Sequence, residues 1–323
     1  MTRTRIIKSK VPSLKPAVDL AHYCAARFTY LTRDQWETDI LAGKVTLNGE
    51  AVLNPATVLK GGETLAYEGS GIVEPPVDER ISILYEDEWF VAIDKTGNLP
   101  VHPSGRYFKN TLLHLLEDRY RRKVYPVHRL DRETSGVILL AFDSKFAGKL
   151  SESLAQGSKA YFALVHGKFP DQEITVDLPL GRDPDSIVKK KRKAWPGGTE
   201  SAATRFKKAL ATGDMSLVRC FPETGRLHQI RAHLLALGFP IIGDKLYGRD
   251  ETAFLAFIDQ GLTPELEKSL ILPRSALHAA RVDFCHPHSQ KNITIRALLP
   301  GMFKQYILSR KAEPGRCARQ QYQ

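Results

Sequence analysis

The chain has no run approaching the ~20 consecutive apolar residues that a membrane span requires, which excludes a helical membrane protein. Its first residues, Met1-Thr2-Arg3-Thr4-Arg5-Ile6-Ile7-Lys8, lack the apolar core of a secretory signal, so the cytoplasm is the expected compartment. Cysteine is scarce: Cys24, Cys220, Cys285 and Cys317 stand far apart, with no C-x-x-C pair. This spacing argues against a disulfide framework and the usual zinc sites. It leaves reduced thiols, with Cys220 and Cys285 in strand-like surroundings suited to burial. His278, His286 and His288, even together with His228 and His233, lack close companion ligands, so no metal is expected. There is no glycine-rich phosphate loop and no G-x-S-x-G elbow. The clustered carboxylates of a metal-dependent nuclease are missing too.

What the chain does have is positive charge. Its 323 residues carry 47 Lys and Arg against 36 Asp and Glu, a net charge of +11. Such an excess favours polyanionic partners, because each phosphate neutralised by a cation releases counterions. With no basic amphipathic helix to suggest a membrane surface, the partner expected is nucleic acid. A composition of 42% hydrophobic and 26% charged residues is that of an ordinary globular protein. The length allows one large domain and a smaller one.

The chain is organised around His128-Arg129-Leu130-Asp131-Arg132-Glu133-Thr134-Ser135-Gly136, which runs into Val137-Ile138-Leu139-Leu140-Ala141. The apolar run is short and partly β-branched and reads as a buried strand. The polar residues before it therefore form a tight loop at the mouth of that strand, where a rigid scaffold holds reactive groups. A carboxylate between Arg129 and Arg132 is expected to be ionised, as a nucleophile or general base must be. A surface ion-pair cluster accounts equally well for the charges alone.

Two further segments stand out. In Lys159-Ala160-Tyr161-Phe162-Ala163-Leu164-Val165-His166-Gly167, strand alternation puts Tyr161, Ala163 and Val165 on one face. In residues 223–238, Leu227, Ile230, Leu234 and Leu237 form a helical stripe. His228 and Arg231, three apart, share another helical face and can project together into a cleft, and Gly238 fits the C-terminal cap. The densest basic run, Lys189, Lys190, Lys191, Arg192 and Lys193, lies between Pro184 and Pro196-Gly197-Gly198. It reads as an exposed loop or hairpin touching nucleic-acid phosphates. Before residue 80 the pattern changes to a small module. It has a helix over residues 17–28, then Thr32 as N-cap of a second helix ending near Gly43. A hairpin turning at Asn48-Gly49 and a strand after Gly61-Gly62 follow. Residues 1–16 read as a mobile basic arm, residues 71–80 as a linker and residues 311–323 as a tail. Ser144 is the expected cap of a helix bearing Phe146, Ala147, Leu150 and Leu154.

HRLDRETSGVILLA closely resembles the signature of the RluA-like pseudouridine synthases. K-x-Y-x-A-x-V-x-G at 159–167 is similar to the second motif of that family. T-G-R-x-H-Q-I-R-x-H-L with the following G-x-P-I-x-G-D-x-x-Y-G is similar to its third. Residues 17–70 resemble the alpha-L RNA-binding motif of a ribosomal protein. The opening near residues 81–97 is also similar, although Lys95-Thr96-Gly97 lacks the usual proline. The resemblance implies an α+β pseudouridine synthase fold over residues 81–310: a large mixed, mainly antiparallel sheet with flanking helices and a central cleft. It implies isomerisation of uridine to pseudouridine in structured RNA, large-subunit rRNA or tRNA, with no metal or organic cofactor. Asp131 would be the catalytic carboxylate, Arg231 its partner and Tyr161 a wall of the uracil pocket. Arg129 would fill the space vacated by the flipped base. Arg226, His228 and the run 189–193 would contact RNA. A monomer is expected. The alternative is a catalytically inert RNA-binding or ribosome-assembly protein.

Overall fold

The computed structural model describes residues 5–14, 16–28, 31–69, 74–105, 107–248 and 250–312. They fall into two compact units: residues 1–76 with 103–110, and residues 77–102 with 111–323.

In the small unit, β1 (Arg5–Lys10), α1 (Leu20–Arg27), α2 (Arg33–Leu41), β2 (Val45–Leu47), β3 (Glu50–Ala51) and β4 (Thr64–Gly69) follow in order. The antiparallel sheet runs β1-β4-β2-β3. The basic arm is therefore not free, because residues 5–10 pair along their whole length with β4. Arg3 and Lys15 lie outside the described residues. The first helix begins three residues later than expected, where the Asp19 carboxylate accepts the His22 N–H. Thr32 caps α2 in a reciprocal box with Gln35, which satisfies two amides that the helix start leaves open. Asn48 and Gly49 both have positive φ, 53° and 95°, as a two-residue primed turn demands. Trp36, Ile40, Val45, Leu65 and Tyr67 close the core. Residues 103–110, expected in the large domain, group here instead. The Glu74 carboxylate accepts the N–H groups of Phe108, Lys109 and Asn110.

The large unit contains β5 (Ile81–Glu86), β6 (Phe90–Lys95), α3 (Leu112–Tyr120), β7 (Tyr125–Pro126), β8 (Ser135–Ala141), α4 (Ser144–Gln156) and β9 (Ser158–His166). It continues with β10 (Ile174–Asp177), β11 (Leu180–Arg182), β12 (Arg192–Ala194), β13 (Ala203–Thr212), β14 (Met215–Pro222) and α5 (Gln229–Ala236). Then come α6 (Thr252–Gln260), α7 (Pro264–Leu270), β15 (Leu277–Cys285), β16 (Asn292–Arg296) and α8 (Gly301–Ala312). The main sheet runs β10-β13-β14-β9-β15-β8-β6-β5, with β16 beside β15 and β7 beside β8. Every pairing is antiparallel except β8 with β15, so two antiparallel halves meet at one short parallel seam. The expected mixed, mainly antiparallel sheet with flanking helices is what forms.

β8 explains why its sequence is a continuous apolar run. Successive side chains of a strand point to opposite faces, and here both faces are covered. Val137, Leu139 and Ala141 pack with Phe146, Leu150 and Leu154 of α4. Ile138 and Leu140 pack with Leu112 and Leu116 of α3. The α4 cap is Asp143 rather than Ser144, its carboxylate accepting the N–H groups of Lys145 and Phe146. At the seam Gly136 has φ of +107°, and a Cβ there would lie 2.1 Å from the Ala279 carbonyl oxygen. Only glycine permits that approach, and it carries the loop before β8 to the middle of the sheet. The boundary expected at residue 310 falls inside α8, and residues 313–323 lie outside those described. Cys24 and Cys220 are buried thiols, whereas Cys285 is partly exposed. No described helix is long and apolar enough to cross a membrane.

Candidate active site

The loop between β7 and β8 carries Asp131 and is tied down on both sides. The fully buried Lys95 ammonium gives its protons to the carbonyls of Thr96, Leu99 and Arg132 at 2.8, 2.9 and 3.1 Å. Burial pushes its pKa down to about 7. On the other side the Glu133 carboxylate accepts from Lys245 Nζ at 2.8 Å and from the Ser275 amide at 3.0 Å. Arg274 donates to the Glu133 carbonyl and to Ser135 Oγ. A loop held by this many charged hydrogen bonds has little freedom to move its aspartate.

Asp131 faces a cleft of about 210 Å³, lined among others by Arg129, Lys159, Tyr161, Arg226, His228 and Arg231. Arg231 Nη1 lies 2.7 Å from Asp131 Oδ2, and His228 Nε2 lies 3.8 Å from Oδ1. Burial opposes the Asp131 charge, but His228 and Arg231 outweigh it and hold the carboxyl below its usual range. Burial also pulls His228 down to about 4, so near neutral pH the imidazole is uncharged. Arg231 is then the cation that keeps Asp131 ionised. This corrects the expectation from sequence neighbours. Arg132 instead meets Glu133 at 2.8 Å and lies over the Phe257 ring. Arg129 is exposed at the cleft with no ion pair to Asp131.

The two-pronged grip of Arg231 goes to a residue that motif reading left without a role. Nε and Nη2 donate to Asp244 Oδ2 and Oδ1 at 2.6 and 2.8 Å. Asp244 is almost fully buried and also accepts from the amides of Leu246 and Tyr247 and from Ser275 Oγ. Burial works against its charge, yet Arg231 and these donors bring its pKa down to about 2. Its signal was the Gly243-Asp244-Lys245-Leu246-Tyr247-Gly248 block. Glu133, Lys95 and Tyr247 were equally visible in motifs and equally unassigned.

Tyr161 lines the same cleft from β9, between Cys220 of β14 and Ala279 of β15. Burial and the nearby Asp131 carboxylate push its hydroxyl well above the usual range, so it is a neutral phenol. Lys159, on the same strand face, was not singled out, and burial pulls its pKa down. His128 is structural in this arrangement: its Nε2 accepts the Leu139 N–H at 3.1 Å, and burial brings it to about 4. His228 does not share a helical face with Arg231 in the expected way. It precedes α5, with a left-handed φ of 58°, and its Nδ1 lies 2.8 Å from the Tyr247 hydroxyl. Arg226 is exposed at the cleft rim and donates through Nε to the Ser201 carbonyl.

The run at 189–193 is a hairpin arm, as expected, but not a free row of cations. Lys191 bonds to Glu251 at 2.6 Å, with Asp183 at 3.5 Å. Lys193 bonds to Asp185 at 2.6 Å, and Arg192 lies 3.8 Å from Glu200. Lys190 sits 4.4 Å from the Phe254 ring centroid. Lys189 and Lys190 are exposed and have no ion pair among the described residues.

Residues 89–236 match the family model described as RNA pseudouridylate synthase. A Bacillus subtilis protein named as an uncharacterized RNA pseudouridine synthase is 36% identical over 80% of this chain and 87% of its own length. The mitochondrial tRNA pseudouridine(32) synthase of Saccharomyces cerevisiae is 36% identical over 68% of this chain, which spans about half, 48%, of that protein. Among solved structures, human RNA Pseudouridylate Synthase Domain Containing 4 superposes with a TM-score of 0.55 at 26% identity, covering 71% of this chain and 93% of that one.

Proposed function

Since the chain belongs to the RNA pseudouridylate synthase family, we propose that it isomerises uridine to pseudouridine in structured RNA with Asp131 as the reacting carboxylate. The observation that carries this is the asymmetry of the Asp131 carboxylate. Oδ2 is tied to Arg231, while Oδ1 has no hydrogen-bond partner among the described residues and lies on a cleft walled by Tyr161. An ionised oxygen free on one side is what a base or nucleophile needs.

The reaction breaks the bond from ring nitrogen 1 to the ribose anomeric carbon and forms one from ring carbon 5 to that same carbon. Carbon 5 loses a proton and nitrogen 1 gains one, so atoms and charge balance within the nucleoside and no redox partner is required. Asp131 acts either on the proton at the ribose 2′ carbon or as nucleophile at the anomeric carbon. Arg231 keeps it charged and aimed. Tyr161 supplies a flat apolar wall, and its neutral hydroxyl is positioned to relay the carbon 5 proton. Reaching the cleft requires the uridine to leave its stack, at a cost of a few kcal/mol. Arg129, exposed beside Asp131, fills the vacated space.

The small unit serves as the RNA-binding module, and tRNA is the first substrate to assay. The name of the yeast relative, a tRNA pseudouridine(32) synthase, supports tRNA. Mapping pseudouridines in cytoplasmic tRNA and large-subunit rRNA from a deletion strain tests this. The reading expects at least one site to be lost and restored by the wild-type gene. No lost site in either RNA would contradict it.

A further inference from the structure

We propose that Tyr247 fixes the tautomer of His228, so that the imidazole holds an Nε2–H donor toward the free Oδ1 of Asp131. The proposal deepens the uridine-isomerase reading and rests on it for its catalytic meaning.

The Tyr247 hydroxyl is fully buried. It accepts the Arg192 amide N–H at 2.7 Å and lies 2.8 Å from His228 Nδ1. A phenol has one proton to donate, and a backbone amide N–H cannot accept it. Among the described residues the acceptor is therefore Nδ1. An Nδ1 that receives a hydrogen bond carries a lone pair, so the proton of the neutral ring sits on Nε2. Burial and the neighbouring Arg231 guanidinium favour that neutral ring against the pull of Asp131.

The backbone is arranged for this contact. His228 occupies the left-handed region at φ of 58°, which a non-glycine side chain adopts only when its surroundings impose it. The imidazole meets the Tyr247 ring edge-on, with centroids 5.3 Å apart. Gly243-Asp244-Lys245-Leu246-Tyr247-Gly248 thus supplies both controls on the reacting carboxylate. Asp244 aims the Arg231 guanidinium at Oδ2, and Tyr247 aims the His228 N–H at Oδ1.

At 3.8 Å, His228 Nε2 is too far from Oδ1 for a hydrogen bond. The donor is therefore unspent in the free protein. It is available to an oxygen acceptor of the bound nucleoside, a ribose hydroxyl or a uracil carbonyl, brought against Oδ1. Tyr247 is then a positioning residue that acts through His228.

The test is nitrogen-15 spectroscopy of the histidine rings at neutral pH, with the His228 signal identified by its loss in His228→Gln. The wild type is expected to show a protonated Nε2 and an unprotonated Nδ1, and Tyr247→Phe to lose that separation. In single-turnover assays Tyr247→Phe is expected to slow isomerisation about tenfold, the scale of one lost hydrogen bond, with RNA affinity unchanged. In a His228→Gln background the same substitution is expected to cost nothing further. A wild-type His228 protonated on Nδ1 or on both nitrogens overturns the proposal. So does an equal cost of Tyr247→Phe in both backgrounds. If Tyr247→Phe does not fold, the wild-type spectrum decides by itself. A wild type that isomerises no RNA, yet shows the expected ring spectrum, would count against the functional reading and not against the tautomer.

Discussion

Arg231 gives two of its three hydrogen bonds to Asp244 and only one to Asp131. The guanidinium is therefore oriented by a buried carboxylate that never faces the cleft, and its remaining edge is presented to the carboxylate that does. A planar fork can serve two carboxylates at fixed angles, and a single ammonium cannot.

Arg231→Lys keeps the charge but loses this geometry. We expect a folded protein with near-normal RNA affinity and a single-turnover rate lower by on the order of a hundredfold, the scale of a misaligned reacting group. A near-normal rate in this variant would remove Arg231 from the site.

Asp244→Asn should reveal itself in acid. The folded pKa of Asp244 is depressed from an ordinary 3.8 to about 2. Between these values the unfolded chain binds more protons than the native protein. The stability contributed by Asp244 is thus complete above about pH 4 and lost as pH falls toward 2. Its size is on the order of 2 kcal/mol. Urea melts from pH 5 to 2 should show a shallower decline for Asp244→Asn than for wild type, from a lower starting stability. Parallel declines would contradict the assignment.

Much of this site was legible in the sequence, because chemistry-bearing residues sit in short ordered blocks. Asp131, Arg231 and Tyr161 come together as expected, drawn from a loop before β8, from α5 and from β9. What the sequence hid was who holds whom. Proximity along the chain suggested that Arg129 and Arg132 flank the carboxylate. In the fold, successive loop side chains diverge, and the cation is Arg231, 100 positions away, the partner that the resemblance and not chain proximity implied. The roles of Asp244 and Tyr247 stay hidden in their motif for the same reason, since a buried partner is defined by tertiary contact. The stripe of Leu227, Ile230, Leu234 and Leu237 also implies a helix from residue 227, whereas α5 starts at Gln229. Periodicity does not reveal that His228 leaves the helix for a left-handed turn.

The basic hairpin separates two roles that five consecutive cations had merged. Lys189→Gln should lower the slope of log affinity against log salt by about one and leave the target uridine unchanged. Lys191→Gln removes a mostly buried partner of Glu251 and Asp183. It should cost roughly 1–3 kcal/mol of stability, read as a lower melting temperature. Equal salt slopes for wild type and Lys189→Gln would exclude a phosphate contact there.

Removing residues 1–70 tests the small unit as an affinity module. Glu74, which gathers residues 108–110, is kept in that variant. RNA binding should weaken and turnover fall at limiting RNA, while the single-turnover rate at saturation persists. Unchanged binding by a folded truncated protein would contradict an RNA-binding role.

In this site the Asp131 carboxylate is expected to perform chemistry and not merely to be half of an ion pair. The most direct measurement is single-turnover tritium release from RNA labelled at ring carbon 5 of uridine, with Asp131→Asn compared with wild type beside a thermal melt. Asparagine keeps the size and part of the hydrogen bonding to Arg231 but cannot act as an anion or base. Release is expected from wild type, and none from a folded Asp131→Asn protein that still binds RNA. Substantial release by that variant would contradict a chemical role for Asp131.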